Sequence, residues 1–335
     1  MNFLFQPGIF RLALAVMVVA SHMSGYEVGR PAVMAFFILS GYWVAKMYQE
    51  KYAGLPNGLA VFYLSRWLRI WPLYVVAVAL AMLVMALTGN TGFTSTHFAN
   101  LGLLGIASRD TDVLGVSWSL DIELQFYALL PFLLTLLGWA QRGIGRQALT
   151  GTVLMLLVGA GWYLQLTHNV WTVFSYLPVF VLGISLAQQP YKVSLPTAMA
   201  SLVIFTSVGV LTWFAPMTHD FLLKDVATVI PEDWFGMAWV ALLLPFIAYN
   251  VVQKSSALDR HFGNLSYALY LVHWPVITLM HQALPTQSGL VIKAVAFIIS
   301  IIVSIALYWF VDRQLEKHRT RLSQLVASPP QGQAA

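Results

Sequence analysis

Windows of about 20 mostly apolar residues give ten candidate membrane spans in this chain. They lie at approximately 9–24, 33–48, 70–88, 119–139, 148–167, 171–188, 196–214, 235–252, 265–284 and 289–311. A hydrocarbon core needs about 20 mostly apolar residues per helix. In lipid, only helices and closed barrels satisfy the backbone, and continuous apolar runs of this length read as helices. The expected fold is an all-α polytopic membrane protein with about ten transmembrane helices. A single membrane-embedded domain is expected over residues 1–320, followed by a disordered cytoplasmic tail at 321–335.

Composition removes the alternatives. Of 335 residues, 9% are charged and 59% are hydrophobic, whereas a soluble chain carries about 25% charge. Disorder needs the opposite balance. The chain has no cysteine, which excludes disulfides, thiolate metal sites and a cysteine nucleophile. No spacing of the H-E-x-x-H kind marks a metal site, and no Walker or dinucleotide fingerprint is present. The net charge of +5 comes without a Lys/Arg run, so nucleic acid is not an expected partner.

Charge placement sets the orientation instead. With the N-terminus inside, Arg11, Lys46, Lys51, Arg66, Arg69, Arg142, Arg146, Lys192, Lys254, Arg260, Arg313, Lys317, Arg319 and Arg321 fall on the inner side, 14 of 18 basic residues. Most acids, including Glu27, Asp112, Asp121, Glu123, Glu232 and Asp233, fall outside. This satisfies the positive-inside rule with both termini cytoplasmic. The first span reads as a retained helix rather than a signal peptide, because the segment before Arg11 is itself apolar. Within residues 97–117 the apolar piece, Leu101 to Ala107, is too short to cross, and Arg109, Asp110 and Asp112 then interrupt it. The stretch reads as an external or re-entrant segment leading into the fourth span.

Ionisable groups within spans are costly and are functional candidates by default. Arg11 and His22 have an R-x10-H spacing. Eleven residues at about 100° pass three full turns by only about 20°, so both side chains occupy one helix face, about 16 Å apart along the axis. A cation near the cytoplasm and an imidazole further out suit a long ligand with an anionic head and a reactive far end, the shape of acyl-coenzyme A. A snorkelling arginine and a structurally bonded histidine fit the same spacing. Ser40, in Phe36-Phe37-Ile38-Leu39-Ser40-Gly41, suits close helix packing or an interhelical bond, and lacks a nucleophile-elbow context. Arg66 and Arg69, at i,i+3 beside Trp67 and Trp71, could grip phosphates through bidentate contacts or anchor the helix at the interface. Trp118, Ser119, Glu123, Gln125 and Tyr127 open the fourth span. Glu123 lies at a depth comparable with His22, where a carboxylate can orient an imidazole, bind a sugar hydroxyl, or serve with Gln125 as a structural hub. Asp121 fits a first-turn charge complementing the helix dipole. Tyr270 and His273 sit mid-span, with Pro275 loosening the backbone; a lone buried histidine there also fits a structural role.

Taken in order, these blocks resemble acyltransferase family 3, integral-membrane bacterial enzymes. The resemblance rests on R-x10-H at Arg11 and His22, FFxLSG at Phe36 to Gly41, FYLxRxxRIxP at Phe62 to Pro72 with Trp71 before the proline, WSLxxExQFY at Trp118 to Tyr127, and SYxLYLxHxP at Ser266 to Pro275. Together they run through roughly residues 9–310. Two positions depart from the family: Met34 and Ala35 stand where many members carry an acid, and Leu124 replaces a second glutamate. The chain resembles the short members that lack a fused esterase-like domain.

The resemblance implies O-acylation of a polysaccharide or lipid-linked glycan in the bacterial inner (cytoplasmic) membrane. Acyl-coenzyme A, with acetyl the first expectation, serves as co-substrate rather than as a bound cofactor. Arg11, Arg66 and Arg69 are then expected to hold the donor's phosphates, His22 to act as general base, and Glu123 to orient His22 or the acceptor. Ser40, Trp118, Ser119, Gln125, Tyr127, Tyr270 and His273 are expected to contact substrate or support the site. A transporter or flippase of lipid-linked sugar, and a non-catalytic subunit of a polysaccharide assembly complex, are the competing readings.

Overall fold

The computed structural model describes residues 5–89, 92–109, 112–189, 191–215, 219–223, 231–316 and 318. The expected tail at 321–335 and the expected external charge at Asp110 lie outside the described residues. Among those described, the chain is helical, with one isolated β-bridge between Tyr26 and Leu223. Its α-helices are α1 (Pro7–His22), α2 (Gly29–Met47), α3 (Gly58–Leu87), α4 (Ser95–Ala99), α5 (Ser117–Ala140), α6 (Ile144–His168), α7 (Val173–Gln188), α8 (Leu195–Phe214), α9 (Glu232–Ala241), α10 (Leu244–Asn250), α11 (Ala257–Ala283) and α12 (Gly289–Leu307).

Among the described residues, five helices can cross a membrane by length and composition: α3, α5, α6, α8, and α12 with its extension to Glu316. α1 and α7 are apolar but shorter, at 16 residues each. α2 carries Arg30 and Lys46, and α11 carries Asp259, Arg260 and His261 near its start. Prolines sit inside α3, α5, α7 and α11, at Pro72, Pro131, Pro178 and Pro275. Membrane helices tolerate them because neighbouring groups satisfy the freed carbonyls.

The stretch expected as one span over 235–252 is two helices, α9 and α10. Pro245 has no N–H to continue the ladder. The break is repaired from α8: Ser201 Oγ donates to the Leu242 carbonyl at 2.7 Å and accepts the Phe246 N–H at 3.4 Å. The Trp239 indole also donates to the Phe205 carbonyl, at 2.9 Å.

Packing divides the chain into two compact units. The first comprises residues 1–42 and 185–305, the second 43–184 and 306–335. The first has a core of Ala15, Val19 and Leu269, packed with Leu12, Val16, Met23, Phe36, Phe297 and Ile301. In the second, Phe126 of α5 stacks on Phe180 of α7, with ring centroids 4.0 Å apart.

The irregular segment 97–117 belongs to the second unit and is tied down by polar bonds. Trp71 Nε1 donates to the Leu101 carbonyl at 2.9 Å. Tyr74 Oη donates to the Asn100 carbonyl at 2.9 Å, and Asn100 Oδ1 accepts the Val113 N–H at 3.2 Å. The Asp112 carboxylate caps α5, accepting from Leu114 N at 3.0 Å and Ser117 N at 2.7 Å. Burial pushes the Asp112 carboxyl above the ordinary carboxylate value, and these bonds only partly counter it. Leu103 adopts φ +60° and is fully buried, a strained backbone held by its surroundings.

Candidate active site

In the first unit, α1 and α11 pack side by side and run parallel. At their starts, Asp259 accepts the Gly8 N–H at 3.0 Å and the Ile9 N–H at 2.8 Å. These are orphan donors of the first turn of α1, capped here by a carboxylate from another helix. Gly8 is required: a Cβ there would lie 1.8 Å from the Asp259 carbonyl oxygen. One turn on, Arg11 Nη1 lies 3.5 Å from the Cβ position of Gly263. Ala15 and Val19 then meet Leu269.

At the far end, His22 closes α1 against two successive residues of α11. Its ring centroid is 5.0 Å from that of His273 and 5.1 Å from that of Trp274, both edge to face. The numerical offset of 251 between Gly8 and Asp259 recurs between His22 and His273. The two helices therefore keep one register over their shared length, and Arg11 and His22 both lie against α11. His273 is fully buried; its Nδ1 lies 3.1 Å from the Leu269 carbonyl oxygen. Tyr270 joins the His273 ring to that of Phe36, at centroid distances of 6.2 Å each. Ser40, on α2, is buried.

Beyond His22, Ser21 Oγ donates to the Tyr26 carbonyl at 2.7 Å. Arg30 then gathers three carboxylates, Asp233 at 3.0 Å, Glu232 at 3.4 Å and Glu27 at 3.4 Å. Two of these lie in the first turn of α9, where the helix dipole also favours them. Sequence reasoning missed this cluster. Its signal in the sequence was an arginine three residues after Glu27, at an i,i+3 spacing.

In the second unit, Arg66 and Arg69 have different surroundings. Arg69 Nη1 pairs with both oxygens of Asp312, at 3.2 and 3.3 Å, and the Asp312 side chain is only 4% exposed. Arg66 has no carboxylate partner among the described residues. Its Nη2 donates to Met47 Sδ and Ser65 Oγ, both at 3.3 Å. Its guanidinium lies 5.9 Å from the centre of the Tyr127 ring, and its Nε is buried. Tyr127 Oη in turn donates to Glu123 Oε1 at 2.6 Å. Arg66, Tyr127 and Glu123 thus form one polar chain.

Gln125 joins a separate network. Its Nε2 donates to Asp121 Oδ1 at 3.1 Å, and its Oε1 accepts the Val173 N–H at 2.9 Å. Asp121, fully buried, also accepts the Ala107 N–H at 2.9 Å. These two side chains bind the irregular segment, α5 and the start of α7 together. Trp118 packs against Trp171 and Tyr176, and Ser119 Oγ donates to the Val116 carbonyl at 3.0 Å. Asp259 and Asp312, neither singled out from sequence, hold Gly8 and Arg69 respectively.

A family model described as an acyltransferase domain matches residues 6–309, a range that takes in every side chain above except Asp312. The chain belongs to acyltransferase family 3. It is similar to "Nodulation protein 10" of Rhizobium leguminosarum bv. viciae, with 25% identity over 74% of this chain and 71% of that protein. It is also similar to proteins named "Putative O-acetyltransferase" in Staphylococcus aureus strains MSSA476 and MRSA252, with 23% identity over 83% of this chain in each case. The chain spans about half of those longer proteins, 52%. No solved structure matches.

Proposed function

We propose that this protein is a membrane-embedded O-acyltransferase. It moves an acyl group, acetyl in the first instance, from acyl-coenzyme A to a hydroxyl of a polysaccharide or lipid-linked glycan. Family membership and the names of the staphylococcal relatives support the reaction class. The observation that carries the mechanism is the register of α1 on α11. It presents a guanidinium and an imidazole to the same neighbouring helix, about 16 Å apart at 1.5 Å per residue. That separation suits a donor whose phosphates and thioester lie at opposite ends of a pantetheine arm.

In this reading His22 is the general base. It takes the proton of the acceptor hydroxyl as the oxygen attacks the thioester carbonyl. A C–O bond forms, the C–S bond breaks, and the proton passes from His22 to the departing coenzyme A sulfur. An imidazole's ordinary pKa of about 6.5 fits both transfers at neutral pH. Arg11 is the first unit's group for donor phosphate. In the second unit Arg66 is better suited than Arg69, which reaches a phosphate only by giving up Asp312. Glu123, aligned by Tyr127, is the second unit's group for an acceptor hydroxyl.

The protein is assigned to the bacterial inner membrane with ten spans and both termini cytoplasmic. The parallel packing of α1 and α11 supports this order, since both spanning in one direction requires an odd number of crossings between them. The test is transfer of radiolabelled acetyl from acetyl-coenzyme A to glycan by purified protein in lipid. Transfer is expected, and its loss in His22→Ala protein inserted at the normal level. Sugar uptake by sealed vesicles without transfer marks a transporter instead, and neither activity marks an assembly subunit.

A further inference from the structure

The middle of α11 is enclosed at every position but one. From Ala268 to Ile277 each residue is buried except Trp274, which is 37% exposed. A face turned toward lipid would repeat that exposure three or four residues away on either side. Tyr270, Leu271 and Ile277 occupy such positions and are buried, and Thr278 is half-buried. The exposure at Trp274 is therefore a local opening rather than part of a stripe. It lies at the end of α1, where the Trp274 ring centroid is 5.1 Å from that of the half-buried His22.

The two rings meet edge to face, at 88°, which leaves at least one face of the indole uncovered by the imidazole. Among the described residues, Thr278 Oγ1 engages the Trp274 carbonyl and nothing accepts the indole N–H. An indole in a closed core finds a partner for that group. An opening with an aromatic face and an available donor suits a ligand that is apolar on one side and polar at its edge. A sugar ring has that character, with C–H groups on its face and hydroxyls around it. An acyl chain has only the first. The distances agree as well. A hydroxyl oxygen about 3 Å from a His22 ring nitrogen places its carbon about 5 Å from the imidazole centre. Trp274 stands at the same distance, so a sugar presenting that hydroxyl can lie against the indole.

We propose that Trp274 is the platform for the acceptor sugar. Its indole face stacks on the C–H face of the pyranose whose hydroxyl gives its proton to His22, and its N–H donates to an adjacent hydroxyl. This rests on the acyl-transfer reading above. Stacking on one face fixes which oxygen meets the imidazole, so the contact also selects the hydroxyl that is modified. The donor's phosphates are held by other groups, and donor affinity does not depend on Trp274.

The probe is surface glycan freed of its O-acyl esters by mild alkali, supplied with acetyl-coenzyme A to monodisperse protein. Trp274→Ala is expected to raise the KM for this glycan at least tenfold, with the donor KM within twofold of wild type. Trp274→Phe keeps an aromatic face and loses the N–H, and is expected to raise the glycan KM by about threefold. Equilibrium binding of the glycan without donor is expected to follow the same order. A glycan KM within twofold of wild type in the Ala variant overturns the proposal. So does a change confined to the preference among acetyl-, butyryl- and hexanoyl-coenzyme A, which would make Trp274 a wall of the acyl pocket. So does a defect confined to yield or melting temperature, with the glycan KM of the folded protein unchanged. If the wild-type protein transfers no acyl group, the acyl-transfer reading fails and the platform with it. If it transfers, and His22→Ala is inactive while Trp274→Ala keeps the wild-type glycan KM, only the platform fails.

Discussion

Gly8 approaches Asp259 so closely that its N–H reaches the carboxylate at 3.0 Å while a Cβ would fall 1.8 Å from the carbonyl oxygen. This contact fixes where α1 begins relative to α11, and through the shared register it sets the height of Arg11 and His22. Gly8→Ala is expected to force the two helix starts apart. The cost is about 3 kcal/mol, at the upper end for overpacking, read as a lower melting temperature in detergent. An unchanged melting temperature would show that the helix starts yield without loss.

The Arg69–Asp312 pair makes a second stability prediction. Asp312 is almost fully enclosed, so Arg69→Ala leaves an uncompensated buried carboxylate and is expected to cost about 3–5 kcal/mol. Replacing both residues with leucine should cost less than the single change. Chemical denaturation of the wild-type protein and the two variants checks the order, and equal losses would show that the pair carries no coupling.

Donor kinetics test the two remaining arginines of the proposed donor site. Arg11→Ala and Arg66→Ala are each expected to raise the KM for acetyl-coenzyme A at least tenfold, with kcat changed less. Lysine at position 66 should restore only part of the affinity, because it lacks the planar fork. A donor KM within twofold of wild type removes the arginine concerned from the donor site.

Acid should favour the folded state through Asp112. Its carboxyl titrates above the ordinary carboxylate value in the folded protein because of burial, so the folded state binds the proton more tightly than the unfolded chain. The associated stability is fully present below the unfolded value and is lost as pH rises through the raised folded value. Wild-type protein should therefore gain melting temperature, relative to Asp112→Asn, as pH is lowered from 7 to 4. Parallel curves for the two proteins would refute the assignment.

Local periodicity made part of this site legible in the sequence. Arg11 and His22 lie on one helix, and Glu123–Tyr127 and Asp121–Gln125 are i,i+4 pairs, so spacing alone bears on which faces they share. The hub expected between Glu123 and Gln125 separates into these two pairs, because residues two apart on a helix do not face each other. Pro245 was the visible signal for the break in the expected 235–252 span. Contacts between distant segments left no such trace. Arg66 and Arg69 look alike in the sequence until Asp312 neutralises one of them. Nothing near His22 indicates that its ring neighbours are His273 and Trp274.

The parallel pairing of the first and penultimate long helices also sets an order of events during synthesis. About 250 residues separate each contact on α1 from its partner on α11. At a ribosomal rate of about 5–20 residues per second, α1 waits roughly 10–50 s before the helix that encloses it is made. For that interval its arginine and histidine must be sheltered by water, lipid headgroups or the insertion machinery. His22 then acquires its surroundings among the last steps of assembly, so a nascent chain that stalls before α11 lacks the partner helix against which it packs.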